Sequence, residues 1–414
     1  MNILGVFSPL RRMTRDGLLL SFSAFFADLG YQGVAALFPL YLIFALHEPV
    51  YWYGIITAVA FGAGSFFAYI GGLAGDRFDK KYVAIVGNAF IPLMACSGLT
   101  HVLWLSALLF ILGWWARYFR TPARRALLVQ VTPEESRGLA FGVLHALDIG
   151  GGTLSALLAL LFIALHVPIG TIILYAAVPL LISTILLFFV RRTTLYREES
   201  PLEEPGEATP PSREADRSLF VSLLIAATLY GFSFYNLGFP ILTATGGSAT
   251  TGGFELGVLA YAVYLGVSAV SGYALGAGKF SPLRSLWLIG YLPSALGSGL
   301  IALSVVFNLH ELAFYLSVAI LGLGMGTVET FEPTLVSSLI ASTSLSRGMG
   351  FLSVSRSIGQ FLSNLIMGVL FSLSRSAPYV YASVSALFAT AVLGAADFRY
   401  TRDRRRERAP RVTR

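Results

Sequence analysis

Residues 191–217 read RRTTLYREESPLEEPGEATPPSREADR, a charged, proline-rich stretch lying between two long apolar halves of the chain. It has almost no apolar periodicity and cannot bury enough surface to offset ordering, so it serves as a solvated linker. Six apolar runs precede it, at 17–45, 52–75, 83–102, 104–128, 138–165 and 168–190. Six follow, at 219–245, 254–278, 284–306, 311–340, 348–372 and 378–396. Each is close to the roughly 20 residues that a helix needs to cross a bilayer. The runs are too long for strands and do not alternate, and a backbone in hydrocarbon must close its own hydrogen bonds. The expectation is an all-α membrane protein of 12 transmembrane helices in two six-helix pseudo-repeat bundles. The N-terminal bundle covers 1–190, the linker 191–217, the C-terminal bundle 218–398 and a basic tail 399–414.

Composition agrees with this division. With 56% hydrophobic and 12% charged residues, the 414-residue chain holds more apolar surface than one soluble core could bury, so lipid must be the solvent. Basic residues recur in every second loop: Arg11, Arg12 and Arg15; Arg77, Lys80 and Lys81; Arg124, Arg125 and Arg137; Arg191 and Arg192; Lys279 and Arg284; Arg347; and the tail from Arg399. Lys and Arg are retained on the cytoplasmic side, which puts both termini in the cytoplasm of a multi-pass cell (plasma) membrane protein. The net charge of +7 sits at membrane boundaries, where it meets anionic lipid headgroups; a nucleic-acid partner is not expected. Residues Met1 to Arg15 are too short and interrupted for a cleaved leader, and the first run is read as a retained span.

The same composition narrows the chemistry. A single cysteine, Cys96, forms neither an internal disulfide nor a thiolate cluster. His47, His101, His166 and His310 each stand alone in short loops, so no metal or other cofactor is expected. No phosphate-binding loop occurs, so uphill work would draw on an ion or solute gradient. A membrane-embedded enzyme would need a histidine–carboxylate cluster beside a nucleophile; only His145 with Asp148 approaches one, and the chain is read as non-enzymatic.

The two halves repeat one another. Ser136-Arg137-Gly138-Leu139-Ala140-Phe141 opens the fifth run and Ser346-Arg347-Gly348-Met349-Gly350-Phe351 the eleventh, with Pro122 and Pro333 ahead of them. Between the second and third runs stands Gly72-Leu73-Ala74-Gly75-Asp76-Arg77-Phe78-Asp79-Lys80-Lys81. This resembles the G-x-x-x-D-R-x-G-R-R motif of the major facilitator superfamily, with Asp79 in place of glycine. The segment Arg117-Tyr118-Phe119-Arg120-Thr121-Pro122-Ala123-Arg124-Arg125, followed by TPEESRG, is similar to a junction found in uncharacterised prokaryotic members. The resemblance implies a duplicated transporter fold working by alternating access. In it Gly72, Asp76 and Arg77 form a conformational gate, Gly72 allowing close helix approach and Asp76 accepting hydrogen bonds from a helix amino terminus. The glycine-rich helix 5 of drug–proton antiporters usually carries G-P; this chain has Gly150-Gly151-Gly152-Thr153 without proline.

Charges inside spans are the most informative positions, because each costs on the order of 2.5–3.5 kcal/mol at mid-bilayer unless hydrated or paired. Asp28, Arg117, Asp148, Glu329 and Arg356 all fall roughly 12–17 Å from the basic side at 1.5 Å per residue. Gln32 shares a helical face with Asp28, and Ser353, Arg356, Ser357, Gln360, Ser363 and Asn364 form a polar stripe at helical spacing. Asn236, before Pro240, completes the candidate substrate and ion pathway, while Glu332 fits a gate. A purely structural alternative pairs Arg117 with Asp148 or Glu329, and Arg356 with Asp28. The functional expectation is a monomeric secondary transporter of a small-molecule substrate, coupled to a proton carried by Asp28. Alternatives are a multidrug or xenobiotic efflux antiporter, a transporter-like receptor or a lipid-moving protein.

Overall fold

A computed structural model describes residues 13–132, 137–191, 214–235, 237–276, 280–340 and 345–408. Among them are twelve long helical runs and no strand. The first half holds α1 (Arg15–Ala45), α2 (Val50–Arg77), α3 (Lys80–Leu99), α4 (Leu103–Gln130), α5 (Arg137–Ala164) and α6 (Ile169–Phe188). The second half holds α7 in two pieces (Glu214–Ser233 and Gly238–Ala244), α8 (Thr251–Gly276) and α9 (Pro282–Val306). It ends with α10 (Glu311–Leu339), α11 (Leu345–Leu373) and α12 (Ala377–Arg408). Eleven of these are long and apolar enough to cross a membrane. The remaining one, α4, has the same length but carries Arg117, Arg120, Arg124 and Arg125. Large apolar side chains such as Trp104, Phe188, Val270, Phe307 and Leu373 are exposed along helix flanks. Water penalises that surface and lipid accepts it.

Local chemistry fixes the helix ends. The Thr14 hydroxyl accepts from the Gly17 amide at 3.0 Å, capping α1, and donates to the Val131 carbonyl at 2.9 Å, which ties α1 to the end of α4. Asp79, the departure from the family motif, caps α3 by accepting from the Lys81 amide at 2.9 Å. His310 caps α10 in the same way through Nδ1, and His47 and His166 hold left-handed turn conformations with φ of 56° and 60°. These loop histidines therefore have local structural uses. In α2 a wide π-type turn covers Ala58–Gly62, and the Trp115 indole donates to the Val59 carbonyl there at 3.0 Å.

The chain forms two compact units: Met1–Leu202 with Leu237–Leu265, and Glu203–Asn236 with Gly266–Arg414. The linker is thus one of three places where the chain passes from one unit to the other. In the first unit, the segment from Leu237 packs on α1 and α2: the Tyr53 and Phe239 rings meet edge to face at 5.3 Å, and Phe44 packs on Phe254. Leu20, Ala24, Leu127, Leu128, Leu144 and Leu187 form an apolar core among α1, α4, α5 and α6. The second unit is centred on Leu223, Ala227, Tyr291, Phe331, Val336 and Leu393, joining α7, α9, α10 and α12.

Backbones cross closely where side chains are absent. A Cβ at Gly151 of α5 would lie 2.4 Å from the Phe25 carbonyl oxygen of α1, and one at Gly359 of α11 would lie 2.4 Å from that of Thr228 in α7. Each unit thus brings a charged residue, Asp28 or Arg356, to a glycine crossing. On α2 the motif's close approach falls one residue earlier than expected. A Cβ at Gly71 would lie 1.9 Å from the Phe119 carbonyl oxygen, whereas one at Gly72 would lie 4.0 Å from its nearest neighbour, Pro122. The helix turns Gly71 toward α4 and leaves Gly72 beside the contact.

Gly151→Val should destabilise the protein by about 1–3 kcal/mol through overpacking against Phe25. Gly266→Ala, at a position with nothing within 4 Å of the new atom, should not. Thermal unfolding midpoints of the two full-length variants in detergent check the contrast.

Candidate functional site

Two charge clusters lie inside the spanning helices, one in each unit. In the first unit, α1 supplies Asp28 and Tyr31, α3 supplies Asn88, α4 supplies Arg117, Arg120 and Arg124, and α5 supplies Asp148. Asp28 is buried, and its Oδ1 accepts a short hydrogen bond from the Tyr31 hydroxyl, which in turn accepts from Arg117 Nη2 at 3.2 Å. The Arg117 guanidinium lies 4.5 Å from the Tyr31 ring centroid and 5.1 Å from that of Trp114, held by aromatic faces. Asp28 thus reaches Arg117 through a phenol.

Arg120, only 1% exposed, donates to the Asn88 side-chain oxygen. The Asn88 amide nitrogen donates onward to Thr184 at 2.8 Å and Ser183 at 3.1 Å on α6. Arg124 reaches Asp148 at 3.8 Å, an ion pair without a hydrogen bond. The pairing anticipated for Arg117 with Asp148 is therefore made by Arg124, two turns further along α4. Arg124 had the sequence position of a boundary charge, yet its side chain is buried; the helix continues to Gln130, placing Arg124 inside it. Gln32 lies beside the cluster and accepts from the Tyr261 hydroxyl of α8.

In the second unit, Arg356 is the hub. Its Nη2 donates to Glu329 Oε1 at 2.7 Å and its Nη1 lies 3.4 Å from Glu332 Oε2. Glu332 is fully buried and also accepts from the Tyr291 hydroxyl at 2.7 Å. The partners of Arg356 are thus both on α10. Glu332, expected as a gate residue, also meets Arg356 in this cluster, because Glu329 and Glu332 share a helical face toward α11. Of the α11 stripe, Gln360 is half-buried, while Ser363 and Asn364 are fully buried, with the Asn364 amide donating to the Gln360 carbonyl at 2.8 Å. Asp76 and Arg77 lie at the end of α2, and their side chains make no hydrogen bond or ion pair with a described residue. Asn236 lies outside the described residues.

Arg120, Arg124, Tyr31, Asn88 and Tyr291 join the clusters without having been singled out in the sequence. The spacing of Arg117, Arg120 and Arg124, at i, i+3 and i+7, is the signal that could have found two of them. No group of three metal-ligating side chains occurs among the described residues.

Arg356→Met removes the only guanidinium beside Glu332 among the described residues and should cost about 3–5 kcal/mol, because a buried carboxylate is left uncompensated. Adding Glu332→Gln to that variant should restore most of the loss. Thermal unfolding of the single and double variants in detergent measures both effects.

Residues 20–364 match the Major Facilitator Superfamily. Over 134 residues the chain is 31% identical to the multidrug resistance protein MdtH of Proteus mirabilis (strain HI4320), covering 30% of this chain and 32% of that protein. A 161-residue stretch is 30% identical to ABC transporter G family member 14 of Dictyostelium discoideum, covering 38% of this chain and 11% of that protein. The chain thus spans about a third or less of the length of these curated relatives. Among solved structures, a POT family transporter in complex with a thioalcohol-conjugated peptide is similar at 16% identity and a TM-score of 0.76, over 94% of this chain and 97% of that one. The nucleoside transporter NupG is similar at 11% identity and a TM-score of 0.68, over 93% and 98%. The two solved structures share the fold of this chain, and the chain belongs to the major facilitator superfamily, a family of membrane transporters.

Proposed function

We propose that the protein is a secondary active transporter that moves a small solute across the plasma membrane by alternating access, coupled to a proton. The observation that carries this reading is the placing of ionisable residues within spanning helices, gathered into two hydrogen-bonded clusters. Such groups are expensive in lipid and are kept where solutes or protons pass. Asp28 is the coupling residue: it is buried, one oxygen takes the Tyr31 hydroxyl, and Oδ2 has no partner among the described residues. A proton can rest there without breaking an ion pair. Gln32, Arg117, Asp148, Asn236, Glu329, Arg356, Gln360 and Asn364 complete the pathway.

The bundles at 1–190 and 218–398 act as the moving halves, with Gly72, Asp76, Arg77 and Glu332 in the gate. Both termini and the 191–217 linker face the cytoplasm, the protein works as a monomer surrounded by lipid, and it catalyses no covalent reaction. The segment similar to the multidrug resistance protein favours one second reading, proton-driven efflux of xenobiotics.

The test is solute-driven proton movement into liposomes that hold the full-length protein and a pH-sensitive dye. Amino acids, sugars, organic anions, cations and drugs are added in turn. At least one class should change the internal pH beyond empty liposomes, and Asp28→Asn should abolish the proton signal while solute exchange persists. Unaltered pH dependence of transport in Asp28→Asn removes the coupling assignment, and absence of flux for every class removes the transporter reading.

A further inference from the structure

The two clusters balance charge differently. In the second unit one guanidinium meets two carboxylates directly. In the first unit three guanidiniums, Arg117, Arg120 and Arg124, share two carboxylates, Asp28 and Asp148, leaving one positive charge in excess among the described residues. None of the three makes a hydrogen-bonded ion pair among the described residues: Arg117 donates to a phenol, Arg120 to an amide, and Arg124 stands 3.8 Å from Asp148.

Aromatic faces hold the Arg117 plane without neutralising its charge. Nε of all three and Nη1 of Arg124 are buried with no partner, although Arg120 and Arg124 are only 1% and 5% exposed. A buried cation without a hydrogen-bonded anion is destabilised by its lost hydration. Asp148, 27% exposed at its side chain, marks the more open edge of the cluster.

We propose that this guanidinium ladder on α4 binds an oxyanion group of the transported solute, so that the substrate is an anion bearing a carboxylate, phosphate or sulfate. The proposal rests on the transporter reading and names its substrate class. Arg117, Arg120 and Arg124 lie at i, i+3 and i+7 and so share one face of α4. The planar guanidinium fork suits a carboxylate or phosphate edge, which accepts two parallel N–H bonds, better than it suits a spherical ion. The solute's charge completes the neutralisation that Asp28 and Asp148 leave unfinished. Asp148, carrying the like charge at the open edge, competes with the incoming anion for Arg124.

Thermal unfolding of the full-length protein in detergent, with succinate, inorganic phosphate or sulfate added at constant ionic strength, tests the assignment. Chloride, choline and glucose are the controls. At least one oxyanion should raise the midpoint saturably and the controls should not. Arg117→Gln should weaken that ligand about tenfold or more. Arg117→Lys, which keeps the charge without the fork, should also weaken it.

Asp148→Asn removes the competing carboxylate and should tighten the same ligand, a gain that a merely structural role for the cluster would not produce. Equal stabilisation by chloride, no response to any of the three oxyanions, or unchanged affinity in Asp148→Asn overturns the proposal. Flux in liposomes separates the two levels: transport of choline or glucose without oxyanion binding sinks the anion class and leaves the transporter standing. Oxyanion binding with no flux of any solute leaves the anion site standing and sinks the transporter reading.

Discussion

Every feature of this protein follows from placing a polypeptide where water is scarce. A backbone in hydrocarbon has no solvent to bond, so each crossing segment closes its own hydrogen bonds as a helix. Once all segments are helices with apolar flanks, the hydrophobic effect no longer drives them together, because lipid accepts those flanks as readily as another helix does. Close backbone approach takes over that task. Gly151 lets α5 lie against the Phe25 carbonyl, Gly359 lets α11 lie against that of Thr228, and Gly71 lets α2 lie against that of Phe119.

The same scarcity of water decides what happens to charge. Arg356 satisfies the demand directly, with Glu329 at 2.7 Å and Glu332 at 3.4 Å. The cluster around Asp28 works through intermediaries: the Tyr31 hydroxyl stands between carboxylate and guanidinium, and Asn88 relays Arg120 to Ser183 and Thr184. Directly paired charges are firm and hard to displace. Both clusters keep buried atoms without a hydrogen-bond partner: Nε of Arg117, Arg120 and Arg124, Nη1 of Arg124 and one oxygen each of Asp28 and Asp148 in the first, and Oε2 of Glu332 in the second. The larger number of unpartnered donors in the first cluster leaves it the greater capacity for a ligand.

The crossings and the charges are also coupled. Gly151 sits against the backbone next to Asp28, and a Cβ there would come within 3.2 Å of the Asp28 Cβ. Gly231 abuts the Arg356 carbonyl in the other unit. Asp28 and Arg356 are therefore mounted on closely packed backbones, where their positions are set by rigid elements.

The number of helices and their approximate limits were legible in the sequence because they depend on composition and period alone. Long apolar runs, the 191–217 interruption and the paired Ser-Arg-Gly openings need no knowledge of neighbours. That Asp28, Arg117, Asp148, Glu329 and Arg356 lie within long helices was legible for the same reason, since helical rise converts residue number into height along the helix. Partners were not. Height says nothing of rotation, and whether Arg117 or Arg124 meets Asp148, or whether Gly71 or Gly72 faces α4, turns on a fraction of a helical turn set by packing. Tyr31 and Asn88, unremarkable within apolar runs, became partners of buried charge only when α1, α3, α4 and α6 were brought together. What each helix carries, and where along its length, is determined by sequence alone; side-chain contact, and with it the electrostatic balance of each cluster, is decided by the tertiary structure, because a charge in a low-dielectric interior is governed by the few atoms within hydrogen-bonding reach.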